Sequence, residues 1–168
     1  MTHRATAVVP RPILAGILAV AALDILEPIV FYGLTRGTPP IRILQSVASG
    51  LLGRASYDGG GRSALLGAML HLFIAAVVVI VYWLASRRLP ALTRRPLLCG
   101  ILYGLAVYAV MNFVVIPLSA IGGGARVPPL PALLNGLFAH VVCVGPPAAF
   151  AARAARSTAT HPAATSTG

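Results

Sequence analysis

Residues 12–33, PILAGILAVAALDILEPIVFYG, are long and apolar enough to cross a bilayer as one helix, yet they carry Asp24 and Glu27 near their middle. A carboxylate at bilayer depth costs about 2.5–3.5 kcal/mol on insertion scales, so it is tolerated where it faces other helices, a partner or water. The two acids are three residues apart and share one helical face. They are two of only three acidic residues in the chain. The remaining sequence must supply their polar partners, and the candidates are His71, Asn112 and His140.

Further apolar runs reach or approach the ~20 residues that span ~30 Å of hydrocarbon. With 58% hydrophobic and 10% charged residues, the chain lies far from soluble averages. The sequence reads as all-α: a polytopic membrane protein, a four-transmembrane-helix bundle in one domain over residues 1–156. The spans fall at about 12–34, 63–86, 97–121 and 131–152. Residues 157–168, rich in Thr, Ala and Ser, read as a disordered tail.

The formal charge of +10 comes from thirteen Arg against three acids, with no Lys. These Arg sit at the ends of apolar runs, which marks anchoring and orientation; no nucleic-acid role is expected. Arg4, Arg11, Arg87, Arg88, Arg94, Arg95, Arg153 and Arg156 fall on one side, and Arg36, Arg42, Arg54, Arg62 and Arg126 on the other. The densest cluster occupies the shortest loop, where the positive-inside rule acts most strongly, so both termini should be cytoplasmic. Ala19-Val20-Ala21 mimics a signal-peptidase site, but the apolar stretch continues to Phe31 and reads as an uncleaved helix, with a cleaved signal as the alternative. Cys99 and Cys143 differ in depth and read as buried small hydrophobes, without a disulfide.

Between the first two spans, Thr38 can cap a helix whose first turn holds Pro39 and Pro40. Over about 39–54, Ile41, Leu44, Val47, Ala48, Leu51 and Leu52 share one face, with Arg42, Gln45, Ser46, Ser49 and Gly53 on the other. This amphipathic period suits a helix lying in the membrane interface. The alternative is a lid over the polar site, with Gln45 and Ser49 facing it. The second span closes with Tyr82-Trp83, read as an interfacial pair, while Pro117 and the Pro146-Pro147 pair should bend the third and fourth.

Depth brings the polar groups together. At ~1.5 Å per residue, Glu27 lies ~10 Å and Asp24 ~15 Å from the outer end, His71 ~12 Å, and Asn112 and His140 each ~14 Å. Each sits on a stripe of small residues that permits close helix approach: Gly16 and Val20 before Asp24, Gly67 before His71, Gly100 and Gly104 before Asn112, and Gly136 before His140. Each outer hairpin has an acid or Asn on its first helix, a Pro-Pro pair in its loop and a His early in its second helix, a hint of parallel repeats.

The order of His71 and the run to Tyr82, the Arg/Pro turn, Gly100-Ile-Leu-Tyr-Gly104, Asn112, Pro117-Leu118, Pro128-Pro129, Asn135-Gly136 and Ala139-His140 resembles the small bacterial inner-membrane proteins of the YagU-like kind. The resemblance covers residues 63–152. It implies a four-helix inner-membrane protein and carries no established catalytic residues.

No GxxxxGK[ST], HExxH or GxSxG occurs, and nothing argues for an enzyme. Carboxylates beside imidazoles, which titrate near neutrality, suggest a layer that handles protons, cations or a small solute. The alternative is a structural or interaction subunit whose polar layer only fixes packing. A further alternative makes His71 and His140 ligands of a b-type haem or, with Asp24 or Glu27, of zinc, with Gly67 and Gly136 clearing space for a macrocycle. No cofactor is otherwise expected. The partners are the lipid bilayer and, as candidates, a second copy or another membrane protein.

Overall fold

The computed structural model describes residues 9–122 and 128–160. The expectations for Arg4, for Arg126 and its glycine-rich turn, and for the tail beyond Thr160 lie outside these residues. Proline starts several of the helices. Pro12, Pro40, Pro96 and Pro131 each sit at a first helical turn, where a missing N–H costs nothing and the fixed φ is already helical. Helix α1 (Arg11–Arg36) ends on Gly37, whose left-handed φ of 62° lets its N–H turn back to the Gly33 carbonyl. Next come α2 (Pro40–Leu52), a 3₁₀ stretch (Gly53–Tyr57), α3 (Gly60–Arg88), the single turn α4 (Ala91–Arg94), α5 (Pro96–Leu118) and α6 (Leu130–Thr160). The described residues are all-helical, and α1, α3, α5 and α6 are long and apolar enough to cross a membrane.

The prolines expected to bend the last two spans are accommodated differently. Pro117 cannot donate to the carbonyl four residues back. The ladder widens just before it, over Met111–Val115, where the Ile116 N–H reaches the Met111 carbonyl. The same widening over Ala139–Val144 precedes Pro146-Pro147, with the Gly145 N–H reaching the His140 carbonyl. The helix then continues through Thr160, so Ser157 to Thr160 belong to it and not to a disordered tail.

Packing is tight at the arginine-rich end and loose at the end that bears α2. The core joins Ile13, Ile17 and Val20 of α1, Ala75, Val79 and Tyr82 of α3, and Val144 with a run of alanines from Ala148 to Ala155 of α6. Tyr82 belongs to this core and not to an interfacial pair. It is 1% exposed, donates to the Leu92 carbonyl at 2.9 Å and meets the Tyr103 ring edge-on. Helix α5 joins α6 through glycines: Gly100 lies against Pro146, Gly145 against the Gly100 carbonyl, and Gly104 against the His140 carbonyl. By contrast, no residue of Met111–Leu118 or of Leu130–Phe138 is buried.

Helix α2 docks against α3. Gly67 has no space for a side chain, because the Leu44 carbonyl fills it. Two of its polar residues turn inward while Arg42 and Ser46 stay exposed: Gln45 is 3% exposed and donates to the Gly60 carbonyl (3.1 Å) and to Ser63 (3.3 Å). Ser49 is buried as well, whereas Ile41, Leu51 and Leu52 are exposed. A backbone bond from Ala120 N–H to the Gly50 carbonyl (2.9 Å) ties the far end of α2 to the segment after α5.

Candidate functional site

The loose end of the helix assembly borders a half-open chamber with two adjoining lobes, about 290 and 380 Å³. Asp24, His71, Asn112 and His140 line both lobes, and Glu27 lines the larger one with Asn135, Tyr108 and Tyr32. All five residues of the predicted polar layer therefore border one space. The α2 residues that cover it are Ser46 and Val47, joined by Gly50 on one lobe and Ile43 on the other. Gln45 and Ser49, the predicted lid contacts, do not line it; Gln45 ties α2 to Gly60 and Ser63, and the buried Ser49 donates to the Ser46 carbonyl of its own helix.

How each group is held decides what the chamber can bind. The His71 Nε2 lies 2.9 Å from the Ala21 carbonyl of α1. A carbonyl only accepts, so Nε2 carries the proton, and in the neutral ring Nδ1 is left as an acceptor. That acceptor faces the Asp24 Oδ2 at 3.9 Å, a second acceptor, beyond direct hydrogen-bonding distance. The two are satisfied together when a proton makes the ring cationic or when a donor bridges them. His140 repeats the pattern: its Nδ1 donates to the Gly136 carbonyl (2.9 Å), leaving Nε2 as a lone pair.

The other donors are spent internally as well. The Asn112 amide donates to the Tyr108 carbonyl (2.9 Å), leaving its Oδ1 free of described partners. Ser46 donates to the Ile43 carbonyl and Ser119 to that of Ile116. Asn135 donates to the Glu27 Oε2 at 3.1 Å across α6 and α1. Pro28, one turn beyond Asp24, has no N–H to offer the Asp24 carbonyl. No Arg lines either lobe among the described residues. The chamber is thus rich in acceptors and short of donors. Its spare donors are the Tyr108 hydroxyl, buried without a hydrogen-bond partner among the described residues, the Tyr32 hydroxyl, and the second N–H of Asn112 and of Asn135, fewer than the lone pairs of two carboxylates, two imidazoles and two amide oxygens.

Asn135 and Tyr108 are the polar residues that the depth argument omits. Glu27 is the shallower acid and requires a donor, and Asn135 is the nearest amide on α6 to its level; that requirement was the available signal. Tyr108 stands one turn before Asn112 on the same row and meets the edge of the His140 ring at a centroid distance of 5.4 Å.

Among the described residues, no three His, Cys, Asp and Glu are grouped to hold a metal ion. Asp24 and His71 alone fall short of the three protein ligands of a catalytic zinc. Gly67 and Gly136 open no slot for a macrocycle, since Leu44 of α2 fills one and the Tyr108 ring the other. Both cysteines are free thiols. No known protein family, curated protein or solved structure matches the chain.

Proposed function

We propose that the chain is a multi-pass protein of the bacterial inner membrane, with both termini cytoplasmic, whose outer-half chamber receives protons or small cationic, donor-bearing solutes. The excess of acceptors carries this reading: two carboxylates, two imidazole lone pairs and an amide oxygen border one space without a cationic partner. Uncompensated acceptors in a low-dielectric site favour a bound cation or proton. The exposed faces of the four long helices carry Leu14, Leu18, Met69, Phe73, Leu102 and Phe138, as expected where lipid is the solvent. In this arrangement α2 lies near the outer interface and caps the chamber. The YagU-like resemblance adds the inner-membrane address and no chemistry.

The test uses charge displacement in proteoliposomes adsorbed on a solid-supported electrode, which registers entry of a cation whether or not it crosses. A jump in ammonium or in proton concentration should give a transient current in the wild type. Asp24→Asn and His71→Ala should lose most of it while eluting as the wild type does on size exclusion. Equal currents in wild type and both variants would sink the reading. A second reading, a packing or interaction subunit, draws on the His71–Ala21 and Glu27–Asn135 bonds that join neighbouring helices. It predicts that the same variants aggregate while no protein-dependent current exists in the wild type.

A further inference from the structure

A groove lies beside the chamber on the outward side of α3 and α5. Its volume is about 340 Å³. Ile74 and Val78 of α3 and Val107, Met111 and Val115 of α5 line both this groove and the smaller lobe of the chamber. The polar and apolar spaces therefore adjoin along the seam of α3 and α5, one on either side of these side chains. On the outward side of the seam the walls are wholly apolar apart from Tyr103, and Phe73, Val77, Val81 and Val110 on the rim of the groove are each more than two-fifths exposed. At the arginine-rich end Tyr103 crosses the gap, donating to the Val78 carbonyl at 2.7 Å and stacking edge-on against Tyr82. From Val115 to Tyr103 the groove follows α5 for about 18 Å.

We infer that these adjoining spaces together bind a single-chain amphiphile with a hydrogen-bond-donating head, an amine or a hydroxyl, which enters sideways from the lipid through the seam between α3 and α5. The inference rests on the acceptor-rich chamber of the proposed function and names the ligand class it takes. The head would meet Asp24, His71 Nδ1 and Asn112 Oδ1, acceptors that the protein's own donors leave unused. The chain would lie in the groove with its far end against Tyr103. Charge selects the head: Asp24 and Glu27 repel a phosphate or a carboxylate, which disfavours bulk phospholipid and fatty acids. A single groove of this volume, at the lower end of ligand pockets, suits one chain and not two.

The experiment is photolabelling of the full-length protein in lipid nanodiscs. The probes are a long-chain alkylamine and the matching alcohol, each with a diazirine near the chain terminus, and the same chain with a carboxylate head. The amine and alcohol should label residues 73–81 and 103–115 several-fold above the other lipid-facing segments, and the carboxylate should not. Ammonium should compete with the amine. Ala106→Trp and Val77→Trp, which fill the groove from its outward side, should remove the labelling while leaving the ammonium-induced current intact. Even labelling of all four long helices, equal labelling by the carboxylate probe, or unchanged labelling in both tryptophan variants would each overturn the proposal. A cross-link between two copies through the groove would also overturn it, assigning the groove to a partner subunit. The current measured on the same preparations separates the two readings: normal current without selective labelling removes only the amphiphile, whereas absent current in the wild type removes the cation chamber itself.

Discussion

Gly104 and His140 meet backbone to backbone: the side of Gly104 that would carry a Cβ is occupied by the His140 carbonyl oxygen. That carbonyl also accepts the Gly145 N–H in the widened turn of α6. One contact therefore sets both the depth of α6 along α5 and the place of His140 in the chamber. The small-residue row Gly100, Gly104, Tyr108 and Asn112 runs from the packed end of α5 into the chamber, so packing and site share a single helix face.

The first prediction follows from that contact. Gly104→Val places two methyl groups against a backbone that has no room to yield. Overpacking of this kind costs about 1–3 kcal/mol. Denaturant or thermal unfolding of the purified protein should show a clear loss of stability, and the His140 ring should move away from Tyr108. A variant as stable as the wild type would mean that α5 and α6 do not meet at this glycine.

Helix α2 supplies the second. Gly67→Val collides with the Leu44 carbonyl and should lift α2 from α3. Gln45→Ala removes two donated bonds but leaves the backbone contact, and interhelical bonds in membrane proteins average about 0.6 kcal/mol. Limited proteolysis within the 3₁₀ stretch Gly53–Tyr57 should therefore accelerate strongly in Gly67→Val and only slightly in Gln45→Ala. If the two variants are cut at the same rate, close backbone contact is not what holds α2.

These elements also mark where the sequence was legible. The four spanning helices could be read because apolar length is a local property, and the five polar residues could be placed at one level because rise per residue converts position into depth. The orientation of α2 could not be read in the same way. Its period divides the residues only partly as the fold does: Gln45 and Ser49 of the expected polar face are buried together with Ala48 of the apolar one, while Arg42 and Ser46 stay exposed, and the groups that draw Gln45 inward, Ser63 and the Gly60 carbonyl, lie far from it along the chain. Tyr82 was misplaced for a related reason: a tyrosine near a helix end suits the interface, and only the fold brings the Leu92 carbonyl to its hydroxyl. The widened turns at Met111–Val115 and Ala139–Val144 rotate the helix beyond them, which simple face counting does not anticipate.

The last prediction concerns Glu27 and Asn135, the acid and the amide that join α1 to α6 at 3.1 Å. An amide donor beside a carboxylate satisfies one oxygen without neutralising it, so the pair leaves Glu27 as a charge for the chamber. Glu27→Gln keeps hydrogen-bonding capacity and removes the desolvation cost of the charge, so it should fold at least as well as the wild type. Asn135→Asp does the opposite: it removes the donor and places a second carboxylate next to the first, within a chamber that already holds Asp24. Breaking this half-buried polar pair leaves groups only partly satisfied by solvent, so the loss falls toward the lower end of the range of about 1–3 kcal/mol for a fully buried one, with repulsion added. Asn135→Asp should therefore be the less stable variant at neutral pH and should recover as the pH falls, because protonating one acid restores a donor between the two oxygens. The double variant Glu27→Gln with Asn135→Asp re-creates an amide–carboxylate pair with the roles exchanged and should regain most of the loss. Unfolding of the three variants and the wild type across acidic to neutral pH checks the order. A double variant no more stable than Asn135→Asp alone would show that Glu27 and Asn135 do not act on each other.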